Sequence, residues 1–292
     1  MMDFHKVLDQ IPNPLNSQKE NGITSSIVDE MDSAHCCLIC RKEIRRLELH
    51  VLDRIIRPLP VCNCIKEKEL AEHRERELAA QREKVKRIYG EGLIDEELKK
   101  ASFDNFNKRP ELESAYRIAK DFTTNFQNQE FGLYMFGPVG VGKSHLAASI
   151  HKKLIQQGYA SVFIDVTQLF GLAKSTFKDE KKSDQDYIQA AIKCDLLTLD
   201  EIGLNPLSSY EFGLLFQILN GRKGKLTNLT SNLNLDRLRK WFAIDNKGRP
   251  LDEDGRVFDR LIGSTLLIES QASSYRMYKA QQRMMAMQKG AV

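Results

Sequence analysis

From residue 102 onward the chain alternates short apolar runs with stretches of helical period. FGLYMF (131–136), SVFID (161–165), DLLTLD (195–200) and LTNLTSN (226–232) read as strands. Between them residues 143–157, 167–177 and 208–219 read as helices. Strands separated by helices predict a mostly parallel sheet covered on both faces, an α/β architecture. Upstream, residues 66–87 are charged almost throughout and hold neither Gly nor Pro. Glu72/Arg76 and Glu83/Arg87 sit four apart with the acid first, the better order on a helix. Leu70, Leu78 and Val85 are too few for a broad buried stripe, so a solvated connecting helix is expected, broken by Gly90 and Gly92. Residues 1–34 read as an arm with a short helix over 4–11. The pattern divides the chain into 1–65, a helical linker over 66–100, and a larger domain over 101–292.

Composition narrows this only a little. Hydrophobic residues make up 41% and charged residues 29% of the 292, ordinary for a globular protein and too apolar for general disorder. The net charge of +4 permits contact with nucleic acid without arguing for it. No run approaches the ~18 apolar residues of a membrane span, and the N-terminus shows no basic-then-apolar leader, so no membrane partner and a cytoplasmic address are expected.

Cysteine placement says more. Five of the six cysteines fall between Cys36 and Cys64. In a reducing compartment such a cluster points to a metal site. Cys37, Cys40, Cys62 and Cys64 form two tight pairs whose thiolates can close a structural tetrahedral zinc site. Cys36 is an alternative to Cys37, and His35 or His50 could replace a cysteine. Cys194 stands apart and is expected to pack as a small apolar residue.

The strongest chemical signal is GPVGVGKS, which fits G-x-x-x-x-G-K-[ST] between an apolar strand and a helix. Glycines let successive N–H groups turn toward phosphate oxygens, and the helix that follows aims its positive end at the anion. Gly137, Pro138, Val139, Gly140, Val141, Gly142, Lys143, Ser144 and His145 form the expected nucleotide-binding stretch. Lys143 supplies charge to the β- and γ-phosphates, and Ser144 can hold Mg²⁺. The strand 196–200 ends in Asp200-Glu201, which assigns Asp200 to magnesium and Glu201 to activation of the attacking water. Asn232, ending a further strand, reads either as a turn residue or as a contact to the γ-phosphate.

In combined order, GPVGVGKSHLAASI, LLTLDEIG with Ser209-Tyr210-Glu211, TSN, Arg256-Val-Phe-Asp-Arg260-Leu and Ser274-Tyr275-Arg276 resemble the AAA+ helicase loaders of the DnaC/DnaI type and the related IstB transposition ATPases. Phe103-Asp-Asn-Phe106 belongs to the same resemblance, and the cysteine module is more like that of the DnaI-type and phage-encoded loaders. The resemblance implies a AAA+ P-loop NTPase fold with strand order 5-1-4-3-2, preceded by a zinc-stapled module. It implies ATP hydrolysis, with Asn232 as first sensor, Arg276 as second sensor, and Arg260 as a finger reaching a neighbour's γ-phosphate. Arg256 is the reserve for the finger, because the polar stretch 243–255 is longer than the smaller loaders carry. It further implies a hexameric replicative helicase as partner, self-association into a ring or spiral, and single-stranded DNA held by Lys174, Phe177, Lys178 and Tyr210. Against that last reading, Phe170 and Phe177 could simply pack into the core. The rival functions are an IstB-type transposition helper, a nucleotide-gated DNA clamp that hydrolyses little, and a kinase using the same loop.

Overall fold

A computed structural model describes residues 24–27, 35–51, 54–90, 93–176 and 183–290. The short helix expected over 4–11 lies outside them. The chain divides into two compact units, Met1–Leu78 and Ala79–Val292.

The first unit is built from short strands: β1 (Thr24–Ile27), β2 (His35–Cys36), β3 (Glu43–Ile44), β4 (Leu47–Val51) and β5 (Arg54–Ile56). β4 pairs antiparallel with both β1 and β5, and β2 pairs antiparallel with β3. Among the described side chains of this unit only Cys37 is buried. Strands this short, with no apolar core among the described residues, gain from a cross-link that holds them together.

The long helix α1 (Asn63–Tyr89) crosses the division between units. The expectation of a wholly solvated helix fails over its last turns. Leu70 and Leu78 are exposed, but Val85 and Tyr89 are buried in the core of the second unit. Gln81 donates to the Lys193 carbonyl at 2.5 Å, Arg82 pairs with Asp195 at 3.0 Å, and the Tyr89 hydroxyl donates to the Tyr187 carbonyl at 2.7 Å. Two apolar side chains one turn apart make a stripe too narrow to register in the pattern, yet wide enough to dock a helix end.

The second unit continues with α2 (Glu96–Lys99), α3 (Glu113–Thr124), β6 (Gly132–Phe136), α4 (Lys143–Gln156), β7 (Ser161–Asp165), α5 (Val166–Ser175), α6 (Asp184–Lys193) and β8 (Leu196–Asp200). It ends with α7 (Ser209–Gly221), β9 (Leu226–Ser231), α8 (Leu235–Ala243), α9 (Arg256–Gly263), β10 (Thr265–Glu269) and α10 (Tyr275–Gly290). The sheet is wholly parallel in the order β10-β6-β9-β8-β7, which numbered within the sheet reads 5-1-4-3-2. Alternate residues of β6, β7 and β8 feed two separate cores. Tyr134, Val162, Ile164, Leu197 and Leu229 join one, and Leu133, Met135, Phe163 and Leu196 join the other. Helices therefore cover both faces, and all five strands deliver their C-terminal ends to one edge.

The polar stretch 243–255 is a folded hairpin rather than a loose insertion. Ile244 bridges to Pro250, and the buried Asp245 accepts the backbone N–H groups of Lys247 and Arg249, each at 2.8 Å, and the Arg249 side chain at 2.7 Å. Burial pushes the Asp245 carboxyl up, but these hydrogen bonds outweigh it and hold its pKa at about 2. Asp252 then accepts the N–H groups of Val257 and Phe258 and fixes the start of α9. Cys194 packs in the core as expected, its thiol donating to the Ala191 carbonyl at 3.1 Å.

Docking of the end of α1 has a measurable consequence. Tyr89→Ala is expected to destabilise the second unit by about 3 kcal/mol in chemical denaturation. Leu70→Ala, on the exposed part of the same helix, should change stability by less than about 0.5 kcal/mol.

Candidate active site

The loop between β6 and α4 lies at the C-terminal edge of the sheet, over a cleft of about 860 Å³. Val139, Gly140, Val141, Gly142, Lys143, Ser144 and His145 line it, together with Asp200, Glu201, Asn232 and Arg276. Gly137 and Pro138 contribute backbone carbonyls, which accept from the Lys143 ammonium at 2.8 and 2.7 Å. The third acceptor of Lys143 is Asn232 Oδ1 at 2.8 Å, so the lysine and the residue just beyond β9 meet directly. Burial pulls the Lys143 pKa down to about 8, opposed by the charges of Asp200 and Glu201 and assisted by Arg276.

The loop is shaped by what stands behind it. Gly142 has φ +110°, and a Cβ there would come within 2.8 Å of the Phe106 ring. Phe106 stacks on Tyr116 at 5.7 Å and meets His145 edge-on at 5.4 Å. His145 Nε2 donates to the Ser102 carbonyl at 3.0 Å, so His145 braces the loop against the segment 102–109. From that segment Arg109 donates to the Val141 carbonyl at 3.0 Å and to the Ser273 carbonyl, tying the loop to the start of α10. Arg109 was not singled out from the sequence, where it is one cation among many.

Opposite the loop, Asp200 is buried at the end of β8. Burial pushes its pKa up to about 6; hydrogen bonds from Thr230 and Ser144 oppose this, and the charges of Glu201 and Asp165 add to it. Thr230 ties the Asp200 carboxylate to the backbone of Glu201. Its hydroxyl donates to Asp200 Oδ1 and accepts the N–H of Glu201 at 3.0 Å. Glu201 stands at φ +56°, a left-handed conformation that costs a non-glycine residue about 1 kcal/mol or more. The N–H of Ile202 to the Thr230 carbonyl at 2.9 Å helps impose this turn. Thr230 is a functional residue the sequence reading passed over. Its only signal is a threonine two residues before the polar end of a strand.

The remaining expected residues are placed as follows. Arg260 is exposed on α9 outside the cleft and donates to Asn220 Oδ1 at 2.6 Å, while Arg256 pairs with Asp254 at 2.8 Å. Lys174 pairs with Glu211 at 2.7 Å, and the Tyr210 hydroxyl donates to Asp184 at 3.3 Å. Phe177 and Lys178 lie outside the described residues, and Phe170 is buried in the core.

In the first unit Cys37, Cys40, Cys62 and Cys64 converge, with every sulfur within 4.8 Å of the others. Cys37 and Cys64 approach to 3.3 Å, and Cys40 and Cys62 to 3.5 Å. Backbone N–H groups of Cys40 and Ile39 pull the Cys37 pKa down to about 6, while the hydrogen bond with Cys37 pushes its neighbour Cys64 up to about 12, so one thiolate of the pair forms first. The set suits zinc: four soft thiol donors clustered together, Cys37 being the one buried side chain among the described residues of the unit. Cys36 is exposed on β2 outside the cluster, as is His35. The His50 side chain lies outside the described residues.

A protein-family profile described as "IstB-like ATP binding protein" matches residues 65–283. The replicative helicase loader DnaC of Buchnera aphidicola (subsp. Acyrthosiphon pisum) is 30% identical over 204 residues, covering 67% of this chain and 77% of that protein. Escherichia coli K12 DnaC is 27% identical over 197 residues, covering 66% and 76%. The crystal structure of DnaI superposes with a TM-score of 0.51 at 22% identity, over 62% of this chain and 93% of that one. The DnaA initiator bound to AMPPCP and single-stranded DNA gives 0.50 at 20%, over 60% and 50%.

Thr230→Val should lower the turnover of ATP hydrolysis about tenfold or more, because it removes both the donor to the Asp200 carboxylate and the acceptor of the Glu201 N–H, while Thr230→Ser should retain most of it. Metal analysis of the purified chain is expected to find one zinc per molecule. Cys37→Ser should lose that zinc and Cys36→Ser should keep it.

Proposed function

We propose, from the premise that this chain belongs to the IstB-like ATP-binding protein family and is an AAA+ ATPase, that it loads a replicative helicase onto DNA. The observation that carries this reading is the 27–30% identity to DnaC loaders over about two thirds of the chain, beside a family match over residues 65–283 that contains every residue lining the cleft. Those relatives also favour a loader over a transposition helper of the IstB type.

In this reading the loop N–H groups and Lys143 hold the triphosphate, and Lys143 releases the two loop carbonyls to do so. Ser144 and Asp200 would hold Mg²⁺, which when bound neutralises charge at the transferring phosphate. Glu201 orients and deprotonates the attacking water, and Asn232, already within reach of Lys143, contacts the γ-phosphate side. Arg276 faces the same phosphates from the start of α10. Arg260 serves a neighbouring subunit's cleft, consistent with its exposure and its distance from its own, with Arg256 as the alternative. A finger in trans requires self-association into a ring or spiral. Lys174 and Tyr210, with Phe177 and Lys178, would contact single-stranded DNA once Lys174 leaves Glu211.

The cysteine unit is the proposed helicase-docking element. Zinc held by Cys37, Cys40, Cys62 and Cys64 would fix its fold, and its surface is unusually apolar. Leu38 is 97% exposed, and Ile39, Ile55, Ile56 and Val61 are each exposed as well. Apolar side chains left in water by so small a unit suit a protein partner.

The decisive experiment offers the full-length tagged chain a purified hexameric replicative helicase and, separately, a purified transposase, with ATP present. Stable co-elution with the helicase is expected. Co-elution with the transposase alone would overturn the loader reading.

A further inference from the structure

β7 and β8 end on the same residue type. They pair in parallel, and their register sets Asp165 directly beside Asp200. Neighbouring strands lie about 4.8 Å apart, and paired positions send their side chains to the same face. Both carboxylates therefore stand at the edge where the cleft opens, and both line it.

Asp165 has one evident structural task. Its Oδ1 accepts the N–H of Gln168 at 3.0 Å and caps α5. A cap needs a single oxygen, and Asn or Ser supplies it as well as Asp. The second oxygen, Oδ2, has no hydrogen bond or ion pair among the described residues. A further anion beside a buried carboxylate repels it and disfavours both charges. That arrangement is repaid where a cation binds between carboxylates, and Mg²⁺ keeps several of its waters when a protein offers it only one or two ligands.

We propose that Asp165 is a positioning residue of the cation site, its free oxygen accepting hydrogen bonds from the waters of a divalent ion held by Ser144 and Asp200. Residues in this outer position orient a bound metal without touching it and commonly govern its affinity. This deepens the magnesium reading of Ser144 and Asp200 and rests on it. It is independent of what the ATPase acts upon.

The test is equilibrium binding of a fluorescent ATP analogue to the full-length chain, titrated with MgCl₂ and repeated in EDTA. Asp165→Asn and Asp165→Ser each preserve the cap, and thermal melting checks that each folds like the parent. Both are expected to raise the Mg²⁺ concentration for half-maximal binding about tenfold. Binding in EDTA should be no weaker than in the parent, because an anion near the triphosphate has been removed. Asp165→Glu should recover part of the Mg²⁺ response. An unchanged Mg²⁺ midpoint, or equal weakening with and without metal, would overturn the proposal. A parent protein whose nucleotide binding ignores Mg²⁺ would instead overturn the assignment of Ser144 and Asp200.

Discussion

Among the described residues the buried ammonium of Lys143 has oxygen dipoles as its hydrogen-bond partners: two carbonyls of its own loop and the amide oxygen of Asn232. Satisfying it there constrains three separate pieces of chain. The loop must curl until the Gly137 and Pro138 carbonyls face inward, β9 must lie next to β6, and β9 must end where Asn232 can reach across. The parallel sheet supplies the last two conditions, because β9 pairs with β6 on one side and β8 on the other. Asp200 then arrives beside Thr230, two residues short of Asn232, by the register of β8 on β9. An open parallel sheet places its ligand site at the carboxyl ends of its strands for this reason. A lysine poised on dipoles rather than on a carboxylate keeps its charge available to an anion.

The opposite side of the cleft depends on a single hydroxyl. Thr230 joins the Asp200 carboxylate to the backbone of Glu201, so the aligned acid and the strained turn are one structure. The left-handed backbone of Glu201 is tolerated because Thr230 engages two consecutive N–H groups, one through its side chain and one through its carbonyl. Asp165 extends the same row of strand ends by one position.

Four strands, the helix after the phosphate loop, the loop itself over 137–145 and the pair Asp200-Glu201 were legible in the sequence, because period and motif coincide there. Other elements were not. β10 follows α9 with little polar punctuation, so RVFDRLIGSTLLIE has no visible boundary between helix and strand. α6 opens on a run of charges that masks its Ile188 and Ala191 contacts. Arg109, Thr230 and Asp165 act through partners that only the fold brings near. The buried end of α1 was misread for a related reason: its apolar residues are sparse, and their partners, Tyr187 among them, lie about a hundred positions downstream.

That last feature bears on how the molecule can be taken apart. A fragment trimmed to begin at residue 101, where the strand-helix alternation starts, would keep every phosphate-loop residue. It would also uncover the apolar surface that Val85 and Tyr89 close, and leave the Tyr187 carbonyl without its donor. Such a piece would tend to stick to itself through a seam the intact chain never exposes. The division between the two compact units falls inside α1, between Leu78 and Ala79, well upstream of residue 101.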